Sequence, residues 1–223
     1  MKLCELRFVH KMPETLPAVL SRMADTPSVV TVLSVVTSYL NEVGLQYAVV
    51  GGIAVLVYGY PRVTQDIDLI VNQEVLDVPG FCNYLRRQQF LADERDLQSA
   101  FREKSHATIF HQTLSLRLDI KGVYSAADRD TIDTAVPMRL SAVTFRVNTP
   151  ENLICHKLQY GSARDLEDAL AVYARMKPRI RGKELRRVAR LVGVEEALEE
   201  LVNIASKSVR GQQDWVRRHL QDS

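Results

Sequence analysis

The stretch from Tyr47 to Val71, YAVVGGIAVLVYGYPRVTQDIDLIV, leaves this chain few ways to fold. Tyr47-Ala48-Val49-Val50 is a short apolar run that Gly51-Gly52 stops. Ile53 to Tyr58 is apolar and long enough for about two turns of buried helix. Gly59-Tyr60-Pro61 ends it, and Gln65 to Val71 returns as a β-branched strand. The expected order is strand, tight turn, short helix, loop, strand.

Both ends of this unit hold groups with a chemical use. Paired glycines at a strand-to-helix turn let a phosphate approach the backbone, where the first helical N–H groups point. Asp66 and Asp68 stand two apart on the second strand, so both carboxylates leave one face. Hard divalent cations take such pairs of oxygen donors, and a bound nucleoside triphosphate supplies the remaining ligands. A solvated strand face would carry the same two aspartates, and a tight turn alone would also ask for glycine.

Elsewhere the pattern assigns elements with varying clarity. Residues 1–27, broken by Pro13, Pro17 and Pro27, read as an N-terminal arm or edge strand. Val29, Leu33, Val36, Leu40 and Val43 recur at helical spacing, and Gly44 suits the position after the helix end. Val78-Pro79-Gly80 reads as a turn, Phe81 to Phe90 as a helix, and Ala92 to Lys104 as a loop or surface helix. His106 to His111 reads as a strand, followed by a two-residue connection at Gln112-Thr113. Leu114, Leu116, Leu118 and Ile120 then alternate with Ser115, Arg117, Asp119 and Lys121, which puts Asp119 on a polar strand face. From Gly122 the chain reads as loop, and Val143 to Val147 as a last short strand. Thr149-Pro150-Glu151 opens a helix with an N-cap, a proline at the first helical position and an acid in the first turn. Helices are expected from there onward, at about 150–160, 163–175, 181–191, 194–207 and 211–220, punctuated by Gly161, Pro178, Gly182, Gly193 and Gly211. The predicted class is α/β (α+β), a sheet flanked by helices at 28–148 followed by a helical half at 149–223.

Composition excludes more than it assigns. At 46% hydrophobic the 223 residues can bury a core, and a net charge of +2 does not by itself demand a nucleic-acid partner. Cys4, Cys82 and Cys155 are scattered and show no metal spacing, which points to a reducing cytoplasm. No run approaches a membrane-spanning length, and the first residues hold no signal-peptide core.

Gly51-Gly52 followed by Arg62-x-Thr64-x-Asp66-x-Asp68 resembles the signature of the DNA polymerase β-like nucleotidyltransferases, nearest to the bacterial abortive-infection and toxin–antitoxin type. The tRNA CCA-adding enzymes also pair glycines with an acidic pair, but usually place Arg-Asp where this chain has Val55-Leu56. The resemblance implies a metal triad of Asp66, Asp68 and Asp119 that binds two Mg²⁺ ions during turnover, with a nucleoside triphosphate as substrate. Asp119 would bind the catalytic ion and could accept the proton of the attacking hydroxyl. Many relatives have Gly-Ser at the turn. With Gly52 here, phosphate contacts are left to backbone N–H groups or to Thr64. Arg62 would help organise the site, or is an ordinary loop arginine.

Lys157 falls within the inward stripe of Leu153, Ile154 and Leu158, where it must snorkel outward or meet a buried anion. The run PENLICHKL resembles the second motif of the abortive-infection group, whose lysine contacts the triphosphate. RDLEDAL resembles the later acidic motif, in which one aspartate supports the lysine or the base. Asp168, beside Ala169 and Val172, is the better match, whereas Asp165 is explained by the helix N-terminus. The basic run from Arg175 to Arg190 suits RNA phosphates or a solvated helix face. The implied acceptor is an RNA end, tRNA above all, or a protein hydroxyl, and the implied protein partners are a cognate antitoxin or a target protein. A catalytically silent nucleotide- or partner-binding module on the same fold is the alternative.

Overall fold

The structure, a computed structural model, describes residues 27–59, 64–140, 143–207 and 209–219. The proposed N-terminal arm lies outside the described residues, apart from Pro27.

Helix α1 (Pro27–Glu42) leads in and is closed by Gly44, which takes the left-handed φ of +66°. Val43, which the periodicity placed in the helix, lies past its end and is exposed. Strand β1 (Tyr47–Val50), helix α2 (Gly51–Val57) and strand β2 (Asp66–Val71) follow as the apolar pattern requires. The next helix, α3 (Val78–Arg87), starts earlier than expected because Asp77 caps it by accepting from the Gly80 N–H. The charged segment after it is a helix, α4 (Glu94–Arg102), capped by Asp93 through the Arg95 and Asp96 N–H groups.

Strands β3 (His106–Phe110) and β4 (Arg117–Gly122) are joined by a longer connection than Gln112-Thr113. The His111 ring nitrogen accepts the N–H groups of Thr113 and Leu114 and folds the chain into a wider turn. The segment read as loop after Gly122 holds helix α5 (Ala126–Asp133) and strand β5 (Val136–Leu140). A capping box between Ser125 and Asp128 starts α5. Strand β5 lies at the sheet edge, where Pro137 is tolerated. Then come β6 (Val143–Val147), α6 (Pro150–Tyr160), α7 (Ala163–Met176), α8 (Gly182–Val192), α9 (Glu195–Ile204) and α10 (Val209–His219).

The six strands form one mixed sheet in the order β3-β4-β2-β1-β6-β5. Strands β2 and β4 run parallel, as do β1 and β6, while the other neighbours are antiparallel. One sheet face (Tyr47, Val49, Ile67, Leu69, Leu118, Ile120) is sealed in the main core. On the other, Ile132 of α5 and Ala135 just after it cover Ala48 and Ile70, and leave the β2–β4 rows open beside them. The main core continues across residue 148: one apolar cluster runs from Val29 through Leu153, Leu170 and Leu201 to Val216.

Glu151 fastens the helical half. It is 1% exposed, and its Oε1 accepts the backbone N–H of Arg181 at 2.9 Å, at the start of α8. Arg181 Nε adds a 3.4 Å contact from an exposed side chain. Because the buried bond is charge-assisted, Glu151→Ala is expected to cost about 2 kcal/mol in urea unfolding, and Glu151→Gln about half as much.

Candidate active site

The open sheet face is organised by register. Strand β2 pairs with β4 so that Asp66 lies beside Arg117, Asp68 beside Asp119 and Ile70 beside Lys121. Strand β3 extends these rows with Phe110, Thr108 and His106, and β1 places Val50 beside Asp68. In-register neighbours point to the same side of a sheet. A row containing both Asp68 and Asp119 is therefore flanked by a row holding Arg117 and another holding Lys121.

Asp68 and Asp119 line one cavity of about 220 Å³. Its other walls come from Val50 and Gly51 at the end of β1, Asn148 after β6, His106 and Lys121 from the sheet, and Leu153, His156, Lys157 and Tyr160 from α6. Burial pushes the Asp68 carboxyl up to about 6, and the neighbouring Asp119 and Asp66 charges push the same way. A hydrogen bond from the Gly52 N–H and the Lys157 charge oppose the shift only in part.

Gly51 explains the turn. Its φ is +60°, and a Cβ built on it would lie 2.0 Å from Asp68 Oδ2. Both facts demand glycine, one through conformation and one through close approach. The Gly52 N–H donates to the Asp68 carboxylate. The Thr64 hydroxyl is likewise used locally, bonding the Asp66 carbonyl at 3.3 Å as the strand begins. Arg62 lies outside the described residues.

Asp119 is held by the Thr108 hydroxyl, 2.6 Å from Oδ1, and by Arg117 Nε, 3.2 Å from Oδ2. Asp66 accepts from Arg117 Nη2 at 3.0 Å. One guanidinium thus spans the two outer carboxylates, which nothing in the alternation of β4 had singled out. Among the described residues, no three metal-ligating side chains already enclose a common point. The chemistry of the set still suits a hard divalent cation: three carboxylates share one face, two of them on adjacent strands, with like charges only partly offset at Asp68.

Lys157 is 7% exposed and lines the same cavity. Its ammonium meets Asp165 at 2.5 Å and Asp168 at 3.0 Å. Asp165 is therefore more than a favourable charge at the start of α7, although Ser162 caps that helix by accepting the Asp165 N–H. Two of the three ammonium hydrogens face these acids, which leaves one for another acceptor.

Three cavity residues escaped the sequence reading. Asn148 is 1% exposed, and its Oδ1 has no partner among the described residues. His156 stacks with Tyr160 at 6.3 Å between ring centroids, and its Nε2 meets the Thr131 hydroxyl on α5. Burial lowers the His156 pKa, which favours the neutral ring. Tyr160 is 63% exposed at the rim. The basic run is partly neutralised: Arg187 pairs with Glu184 and Asp130, and Arg181 with Glu151.

Residues 29–203 match the model of a family described as "Nucleotidyl transferase of unknown function (DUF2204)". No curated protein matches the chain. Among solved structures, an antigenic nucleotidyltransferase-like protein from Paracoccidioides brasiliensis is 18% identical over 78% of this chain and 91% of its own, with a TM-score of 0.45. ANT(2")-Ia in complex with adenylyl-2"-tobramycin is 13% identical over 76% of this chain and 99% of its own, at 0.49. The Thermotoga maritima CCA-adding enzyme complexed with tRNA is 16% identical over 93% of this chain and 54% of its own, at 0.41. The family match spans most of the sequence, and the chain accordingly belongs to this nucleotidyl transferase family.

Proposed function

We propose that the protein moves a nucleoside monophosphate from a nucleoside triphosphate to the end of an RNA, with magnesium as its metal. The observation that carries this reading is the pairing of Asp68 with Asp119 at a cavity that also holds Lys157, with the Gly51 backbone pressed against Asp68. Asp66, Asp68 and Asp119 would hold the metal, which supplies charge neutralisation at the phosphates and a lower pKa for the attacking hydroxyl. The chain's own groups do the rest. Lys157 offers its remaining N–H to a phosphate oxygen. Asp119, fixed by Thr108, receives the proton of the attacking hydroxyl on a carboxylate oxygen. The hydroxyl oxygen bonds the α-phosphorus as the bond to pyrophosphate breaks. The Tyr160 ring gives the base a stacking face, and the unpartnered Asn148 Oδ1 accepts from a nucleoside N–H or O–H.

RNA is favoured as acceptor by Lys183, Arg186 and Arg190, which stand exposed on α8, a helix packed against α6. The resemblance to abortive-infection enzymes supports a reading of the protein as a cytoplasmic toxin–antitoxin or phage-defence component, with an antitoxin or target protein for a partner. Incubation with each labelled triphosphate, Mg²⁺ and total tRNA should put label on RNA. Label on protein would move the acceptor to a protein hydroxyl, and no pyrophosphate release with any acceptor would sink the reading. Asp68→Ala and Asp119→Ala are each expected to reduce transfer at least a hundredfold while the chain stays folded.

Asp68 also links the site to stability. Its carboxyl lies at about 6 in the fold against an ordinary 3.8, so between these values the folded chain binds more protons than the unfolded one. Stability therefore falls as pH rises through that window. Asp68→Asn should be inactive yet more stable than the parent at pH 8, by on the order of 2 kcal/mol, with the gain vanishing below about pH 4 in thermal melts.

A further inference from the structure

Arg117 has no part in the transfer described above, yet its guanidinium is ion-paired with two of the three carboxylates assigned to the metal. Its Nη2 lies 3.0 Å from Asp66 Oδ2 and its Nε 3.2 Å from Asp119 Oδ2. The sheet register imposes this, since Arg117 lies beside Asp66 across the β2–β4 pair and two residues before Asp119 on the same face. We infer that Arg117 is a resident counter-cation, which holds Asp66 and Asp119 in the cation-free protein and releases both when a divalent cation binds. The inference rests on the reading of the three aspartates as metal ligands.

Three observations support it. First, the local charge is unbalanced. On the sheet face Asp66 and Asp119 share the Arg117 guanidinium, while Lys157, which acts on Asp68 from α6, is itself paired with Asp165 and Asp168. Without Arg117, Asp66 and Asp119 would lose the cation they share, in a cluster where Asp68 already has both like charges near it. Second, a guanidinium does not lose its proton in a protein, so its charge can leave these carboxylates only by moving. Third, it has room to move. The Arg117 side chain is 43% exposed, whereas Asp119 is 16% exposed. Phe110 lies beside Arg117 on β3 and is 53% exposed, so its ring can receive a displaced guanidinium. Lys157 differs: at 9% side-chain exposure between two acids, it is fixed in place.

A purely structural strut would behave in the opposite way. If Arg117 only orients Asp66 and Asp119, removing it would scatter the ligands and weaken cation binding. If it occupies their charge, removing it strengthens cation binding. The test is calorimetric titration of Mn²⁺ into the nucleotide-free full chain, for the parent, Arg117→Ala and Arg117→Gln, with thermal melts alongside. Both variants should bind Mn²⁺ roughly tenfold tighter, about the worth of two partly exposed ion pairs, and should melt lower without metal but gain more on adding it. Two substitutions guard against a misfolded variant. Equal or weaker binding by the folded variants overturns the inference and leaves the proposed transfer standing. Failure of the parent and both variants to bind Mn²⁺ overturns the inference together with the assignment of the aspartates.

Discussion

The parallel pairing of β2 with β4 is the constraint on which the site depends. It sets Asp68 beside Asp119, a placement that is unfavourable for two carboxylates unless positive charge is brought to them. The other face of the same strands enforces the register. Ile67, Leu69, Leu118 and Ile120 are at most 1% exposed, so a slip of one residue would turn aspartates into the core and leucines into the cavity. Apolar burial on one side thus holds the acids together on the other. Arg117, Lys157 and the Gly52 N–H offset only part of the repulsion.

The glycine turn and the lysine clamp meet at the same cavity. Gly51 brings the backbone so near Asp68 that no side chain fits between them. Lys157 ties α6 to α7 through Asp165 and Asp168, at low exposure for all three. A buried ion triple of this kind adds little net stability, but losing one member leaves charges stranded, so it fixes where the ammonium stands.

The sequence shows the parts that depend on local pattern. The strand–glycine–helix–strand unit, Asp119 on a polar strand face, the Thr149-Pro150 helix start and the inward Lys157 all follow from periodicity and capping. Other parts need tertiary knowledge. Helix α5 hides in mixed charge, although Ser125-x-x-Asp128 is a readable start, and Pro137 disguises β5 because an edge strand tolerates what a central one would not. Arg117 looks like any outward residue until the register sets it beside Asp66. Asn148, His156 and Tyr160 come together only when β6 and α6 reach the cavity. Asp165 looks sufficiently explained by its helix end, and only packing shows its second use.

The shared apolar cluster has a consequence for how ligands are met. The walls of the cavity come from β1, β2, β3, β4, α6 and Asn148, and Leu69 and Leu153 in those walls belong to that same cluster, as do Val49 and Leu118 on the same strands. Prying the helical half away from the sheet would expose its interior, at a cost no modest ligand repays. Such a cleft meets its guests ready-shaped: selection happens on arrival, through the rim and floor as they stand, and little ordering entropy is lost in the encounter.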